Sequence, residues 1–179
     1  EVSGRGEFET VKALDELAQR LFLTEGSTGF WFRHEIIRSA VYALLSQHRR
    51  AVLHRRAGVA LKRYGPGDPV ALARHFELGA EPGQAASYAM EAGRAAKDVF
   101  AHEEARAQFD KALELLEWEA VDLQEPAAIA ANQRLRLEAL HERGWALRLL
   151  GEMEAYVRDL QDVGRLAKAL GDAQSIAHL

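Results

Sequence analysis

The prolines of this chain and a set of its glycines divide everything after His34 into lengths that each fit one helix. Asp68 followed by Pro69 is an N-cap with proline at the first helical position, where the missing N–H costs nothing. Pro82 and Pro126 stand in the same relation to later segments. Gly65, Gly79, Gly151 and Gly171 sit where helices should end, since glycine takes a left-handed terminal residue without strain. Between these marks apolar residues recur at helical spacing. The pattern predicts helices over about 35–45, 47–63, 69–78, 83–99, 102–117, 127–149 and 153–169, with another opening at 173. Consecutive antiparallel helices with short links favour an α-solenoid over a four-helix bundle.

The stretch before His34 differs. Phe8 to Arg20 reads as an amphipathic helix with Val11, Leu14, Leu17 and Ala18 on one face. The β-prone runs 21–24 and 30–33 then flank the glycine-rich turn 25–29, which is a hairpin signal. The expected fold class is therefore mainly α with one β-hairpin. Its expected parts are a hairpin module at 1–46, a basic helical connector at 47–80, and helical repeats at 81–179.

Within the last part, Gly93 is followed at +12 by Ala105, at +16 by Phe109 and at +19 by Ala112. Small residues at those intervals let paired helices cross closely, and the aromatic fills the gap between pairs. Ala85–Glu117 thereby resembles one tetratricopeptide unit, with Ala89 and Ala96 in place of its usual Trp and Tyr. A looser second unit runs from Gly144 through Gly151, Leu160 and Gly164 to Gly171. Tyr156 stands in it where a small residue is expected, so packing there should differ. Gly93 and Gly144 are 51 residues apart, which implies a lengthened segment around Trp118–Ala128. Ala173–Leu179 looks like the opening of a third unit, cut off.

Composition sets the outer bounds. A chain of 179 residues makes one domain or two small ones. It has no cysteine, which excludes disulfides and thiolate metal sites. No apolar run is long enough to span a membrane, and a cytoplasmic location is expected. The polar start at Glu1, without Met, suggests an excised fragment. Net charge is −4 but uneven. Residues 33–63 hold eight basic side chains, among them Arg49, Arg50, Arg55 and Arg56, against the single acid Glu35.

The residues Leu14 to Leu17, Phe32 to Arg38, Ala40 to Tyr42, Leu45, Ser46, Arg49, Arg50 and Leu53 to Arg56 carry a further likeness. Over 10–62 the chain resembles the end of the winged-helix domain that follows the nucleotide-binding module in bacterial signal-transduction ATPases with numerous domains. That group includes LuxR-type and maltose-activator-like transcriptional regulators and adenylate-cyclase-associated ATPases. In them the winged helix leads into helical repeats and usually packs on the ATPase core. No GxxxxGK[ST] phosphate loop occurs here, so nucleotide hydrolysis would belong to another part of the parent protein.

No catalytic residues emerge. Glu138 and His141 form one E-x-x-H, where a di-iron centre needs two, so a surface ion pair or a place in the repeat groove is the expected role. The histidines are scattered, and His34 is expected to bond backbone or Glu35 at the hairpin exit. No nucleophile, metal set or carboxylate pair is assembled, so an enzymatic role is not expected and no cofactor or metal is called for. By helical spacing Met90, Arg94 and Lys97, with His141, Trp145 and Arg148 on the next unit, would line a concave face that holds a partner segment. Arg49, Arg50, Arg55 and Arg56 would contact a neighbouring domain or nucleic acid. The chain is thus expected to be a non-catalytic regulatory fragment, coupling partner or effector binding at the repeats to an adjoining ATPase or output domain. The alternative is a nucleic-acid-binding winged helix using the basic 33–63 region, against which whole-chain acidity weighs. A scaffold whose repeats stack into oligomers is a third reading.

Overall fold

The computed structural model describes residues 3, 4, 6–27, 29–65 and 67–171. Among these the order is α1 (Glu7–Gln19), β1 (Leu23–Gly26), β2 (Gly29–Phe32), α2 (Glu35–Ala43), α3 (Gln47–Tyr64), α4 (Pro69–Leu78), α5 (Pro82–Asp98), α6 (His102–Ala120), α7 (Pro126–Leu150) and α8 (Met153–Leu170). The protein is mainly α with a single antiparallel hairpin, registered from Leu23 opposite Phe32 to Gly26 opposite Gly29. The segment 173–179, expected to open a third unit, lies outside the described residues.

The helix starts follow the proline marks. Asp68 accepts the Val70 N–H at 3.1 Å, and Pro69, Pro82 and Pro126 each occupy a first helical turn. Two of the four expected glycine stops are left-handed, Gly151 at φ 77° and Gly171 at φ 67°. The other two are not. Gly65 is extended, and at the end of α4 the left-handed residue is Ala80, at φ 57°. Gly79 is needed for a different reason: a Cβ there would stand 2.9 Å from the Arg55 backbone nitrogen. Close approach of α3 to the end of α4, not backbone freedom, demands glycine at that position.

From α3 to α8 each helix packs on the next in order, and α5 also touches α7. That is the contact pattern of stacked helical pairs, in which a unit meets only its neighbours. One core runs through them, from Leu72, Ala73 and Phe76 on α4 through Met90 on α5 and Phe109 and Leu116 on α6 to Val163 and Ala167 on α8. Phe76 stacks on Tyr88 with centroids 5.5 Å apart. The stretch 47–80, expected as a connector, thus supplies a helical pair whose α4 is built into that core. Asn132 on α7 is buried and donates to the Leu116 carbonyl at 3.0 Å and to Glu119 at 2.8 Å, satisfying polar groups at the end of α6.

The hairpin module is organised otherwise. Neither α1 nor α2 holds a buried residue, and Leu23 is the module's one buried apolar side chain among the described residues. Phe8, Ile36 and Leu44 are 82%, 79% and 87% exposed. The amphipathic faces legible in the sequence are therefore present, but little covers them.

Candidate functional site

The expected concave face lies where α5 runs beside α7. Successive turns of α5 put Arg94 and Lys97 on that side, and successive turns of α7 put Glu138, Glu142 and Trp145 opposite. Arg94 pairs with Glu138 and lies 4.0 Å from Glu142. Lys97 Nζ is 2.7 Å from Glu142 Oε2 and 4.8 Å from the centre of the Trp145 ring. The His102 ring meets Trp145 edge-on at 5.1 Å. The two cations expected as anchors for a partner are thus engaged in joining helices of adjacent pairs. Met90 requires a correction: it is 1% exposed and part of the core, because its position on α5 falls on the buried face with Ala86, Ala89 and Gly93 rather than on the open one. Glu138 of the lone E-x-x-H takes the ion-pair role expected for it.

The remaining three expected residues do come together. His141, Trp145 and Arg148 on α7, with Gly144 between them, line a cleft of about 310 Å³ closed on the far side by Tyr156 and Leu160 of α8. Gly144 matters here, since a Cβ would approach Tyr156 Cε2 to 3.2 Å. Arg148 Cζ sits 5.8 Å from the Tyr156 ring centre. The tyrosine in the small-residue position of the second unit therefore fills the space beside a glycine and offers its edge to the cleft.

At the cleft wall, around the buried Asp159, is a part-buried ion network with no counterpart in the sequence-based expectations. Arg143 on α7 donates to both oxygens of Asp159 on α8, at 2.8 and 2.6 Å, and to Asp110 on α6 at 2.7 Å. Asp110 also accepts from Arg106 at 3.0 Å. Asp159 is 4% exposed. Burial alone would lower the Arg143 pKa, but the hydrogen bonds to Asp159 and Asp110 outweigh it and raise the value. A second cleft of about 610 Å³ between α6, α7 and α8 is lined by Arg136, Arg143 and Arg165 together with four carboxylates. Arg136 pairs with Glu117 at 3.3 Å and Arg165 with Asp162, which leaves this cleft without excess positive charge.

The basic stretch is largely spent on the fold. Arg50 donates to the Ala43 carbonyl at 3.0 Å and lies 4.6 Å over the Tyr42 ring. Arg55 pairs with Glu81 at 3.3 Å, and Arg56 lies against Gly4, where a Cβ would stand 2.9 Å from its Nη1. Arg38 pairs with Glu35. Arg33 and Arg49 are exposed and make no ion pair among the described residues. His34 departs from its expected role: it is the N-cap residue of α2 and makes no side-chain cap bond, while Glu35 turns to Arg38.

Glu142 was legible only as a polar helix position, and Glu138 as a charge without a named partner, since nothing within α7 says which residues of α5 they face. The same holds for Asp159 and for a contact between His54 and His75. No group of three or more His, Cys, Asp or Glu side chains suited to a metal ion occurs among the described residues. No described helix is long and apolar enough to cross a membrane. Comparison with protein-family models, with curated proteins and with solved structures finds no match.

Proposed function

We propose that this chain is a non-catalytic regulatory unit of a multidomain bacterial ATPase or transcriptional regulator. Its hairpin module docks on an adjoining domain, and its stacked helices receive a partner or effector. The observation that carries this reading is an asymmetry of burial. The array from α4 to α8 closes over Phe76 and Phe109, both fully buried, whereas Phe8 on α1, Ile36 on α2 and Leu44 at the C-terminal end of α2 remain open. Apolar surface of that kind, held on formed helices, marks a docking face. The resemblance of residues 10–62 to the winged helix of signal-transduction ATPases names the ATPase core as the surface it meets. The cleft of His141, Trp145, Arg148 and Tyr156 is the best candidate for the partner, because it combines two aromatic rings with cationic groups. The reading involves no catalysis and no cofactor, and it places the protein in the cytoplasm.

Isothermal titration of this chain against the ATPase module of its parent protein tests the reading. Binding that disappears in the double variant Ile36→Asp, Leu44→Asp, with helicity retained, is the expected result. Absence of binding by the unaltered chain overturns it. The nucleic-acid alternative loses support from the engagement of Arg50, Arg55 and Arg56 within the fold. Duplex binding whose logarithm falls with log salt by about 0.9 per phosphate contact would restore it.

A further inference from the structure

Three polar rings run in a line where α2, α3 and α4 meet. Tyr42 Oη lies 2.9 Å from His54 Nε2, and His54 Nδ1 lies 3.2 Å from His75 Nδ1. The Tyr42 and His54 rings meet edge-on with centroids 5.8 Å apart, and the two imidazoles are tilted at 5.2 Å. Two ring nitrogens facing each other at hydrogen-bond distance need one proton between them, so that one donates and the other accepts. A second proton in that gap would aim two N–H donors at each other and give the pair a positive charge.

The surroundings oppose that charge. Burial holds both imidazoles below their ordinary value of 6.5, and Arg74 on α4 adds repulsion to each. From α2 the pair meets Tyr42, whose ring carries Arg50 of α3 on it. Tyr64 and Asp68 share with His75 the wall of an apolar cleft, but Asp68 is already engaged at the start of α4. No carboxylate accepts a hydrogen bond from either imidazole among the described residues.

Little else holds α2 in place. It rests on β2 and has no broad packing contact with α3 or α4. Besides the ring line, Arg50 reaches the Ala43 carbonyl.

We propose that Tyr42, His54 and His75 form an acid-released fastening, which holds the hairpin module on the helical array while the imidazole pair shares one proton and frees it when the pair takes up a second. The feature lies apart from the partner cleft and does not depend on what docks on the module. It makes the coupling between module and array conditional on pH.

The test is backbone amide exchange of α2 in the full chain, corrected for intrinsic rates, alongside ring-proton NMR titration of the histidines. Protection of α2 should fall by about tenfold for each pH unit over which the unfastened state binds one more proton, between about pH 7 and pH 5. In His75→Gln the side-chain amide still reaches His54 but adds no charge, so the fall should shrink to less than about twofold over the same range. Tyr42→Phe should weaken α2 protection already at neutral pH. Should His75→Gln fail to fold, the ring titrations of the unaltered chain decide. Coupled, late protonation of His54 and His75 supports the fastening. Independent titration of the two at the ordinary value, unchanged α2 protection on acidification, or a fall that persists in a folded His75→Gln overturns it.

Discussion

Gly93 and Phe109 approach so closely that a methyl group on Gly93 would stand 2.5 Å from Phe109 Cε1. Phe109 is fully buried, so its ring has nowhere to go. Their sequence separation is the one that marks a tetratricopeptide-like pair, and the contact gives that separation its physical meaning: the glycine on α5 is the socket for the aromatic on α6.

Gly93→Ala should therefore destabilise the protein by about 1–3 kcal/mol through overpacking, despite the helix propensity it gains. Gly144→Ala is the informative partner. Its new methyl meets Tyr156 Cε2 at 3.2 Å, and that ring borders an open cleft where it can yield. The propensity gain of about 1 kcal/mol offsets the crowding there, so the net change should be near zero. Urea denaturation midpoints of the two variants, compared with the unaltered chain, check the contrast.

Removing the Asp159 charge should cost far more than removing a surface one. Asp159→Asn leaves Arg143, mostly buried, with Asp110 as its remaining carboxylate, and breaking such a pair costs about 3 kcal/mol. Glu138→Gln breaks a half-exposed pair with Arg94 and should cost about 0.5 kcal/mol or less. Equal losses in the two variants would mean that the network at the cleft wall is not the clamp its distances suggest.

Stability should decline on mild acidification. His54 and His75 are both held below their ordinary value of 6.5, by burial first and by positive neighbours second. Below that ordinary value the unfolded chain binds more protons than the folded one, so unfolding becomes easier as pH falls toward the lowered folded values. Above about pH 6.5 the contribution is complete. Melting temperatures at constant ionic strength between about pH 7.5 and 5.5 should fall in the unaltered chain and fall less in His54→Gln.

The two halves of the chain should not unfold together. With Leu23 as its one buried apolar residue among those described, the hairpin module has few contacts to lose, and such regions open at a small fraction of the global cost. Limited proteolysis under native conditions should cut first within 1–46 and leave the array from α3 onward intact. A single cooperative loss of all regions would contradict this.

Helix existence was legible because proline and periodicity act within one segment. Pro69, Pro82 and Pro126 mark their helices without reference to anything distant. What sequence withheld was pairing across space. Lys97 looks free on α5 until Glu142 and Trp145 of α7 stand beside it, and Met90 looks surface-bound until the packed core closes over it. Gly79 was placed at the right helix end for the wrong reason, since the approach of Arg55 is invisible in the local pattern. The cleft was partly legible, because His141, Trp145 and Arg148 share one face of α7, whereas Tyr156 enters it from α8.

One continuous helix, α3, is anchored near its start and again beyond its middle. Near its start Arg50 grips the Ala43 carbonyl, and further along Gly58 lies so near Phe76 that a Cβ would stand 3.1 Å from its ring. Over 18 residues it is about 27 Å long, and no proline interrupts it. It is therefore a strut: a torque that reaches its first turn travels along a hydrogen-bonded backbone to the Phe76 contact, with no break in the helix to absorb it on the way.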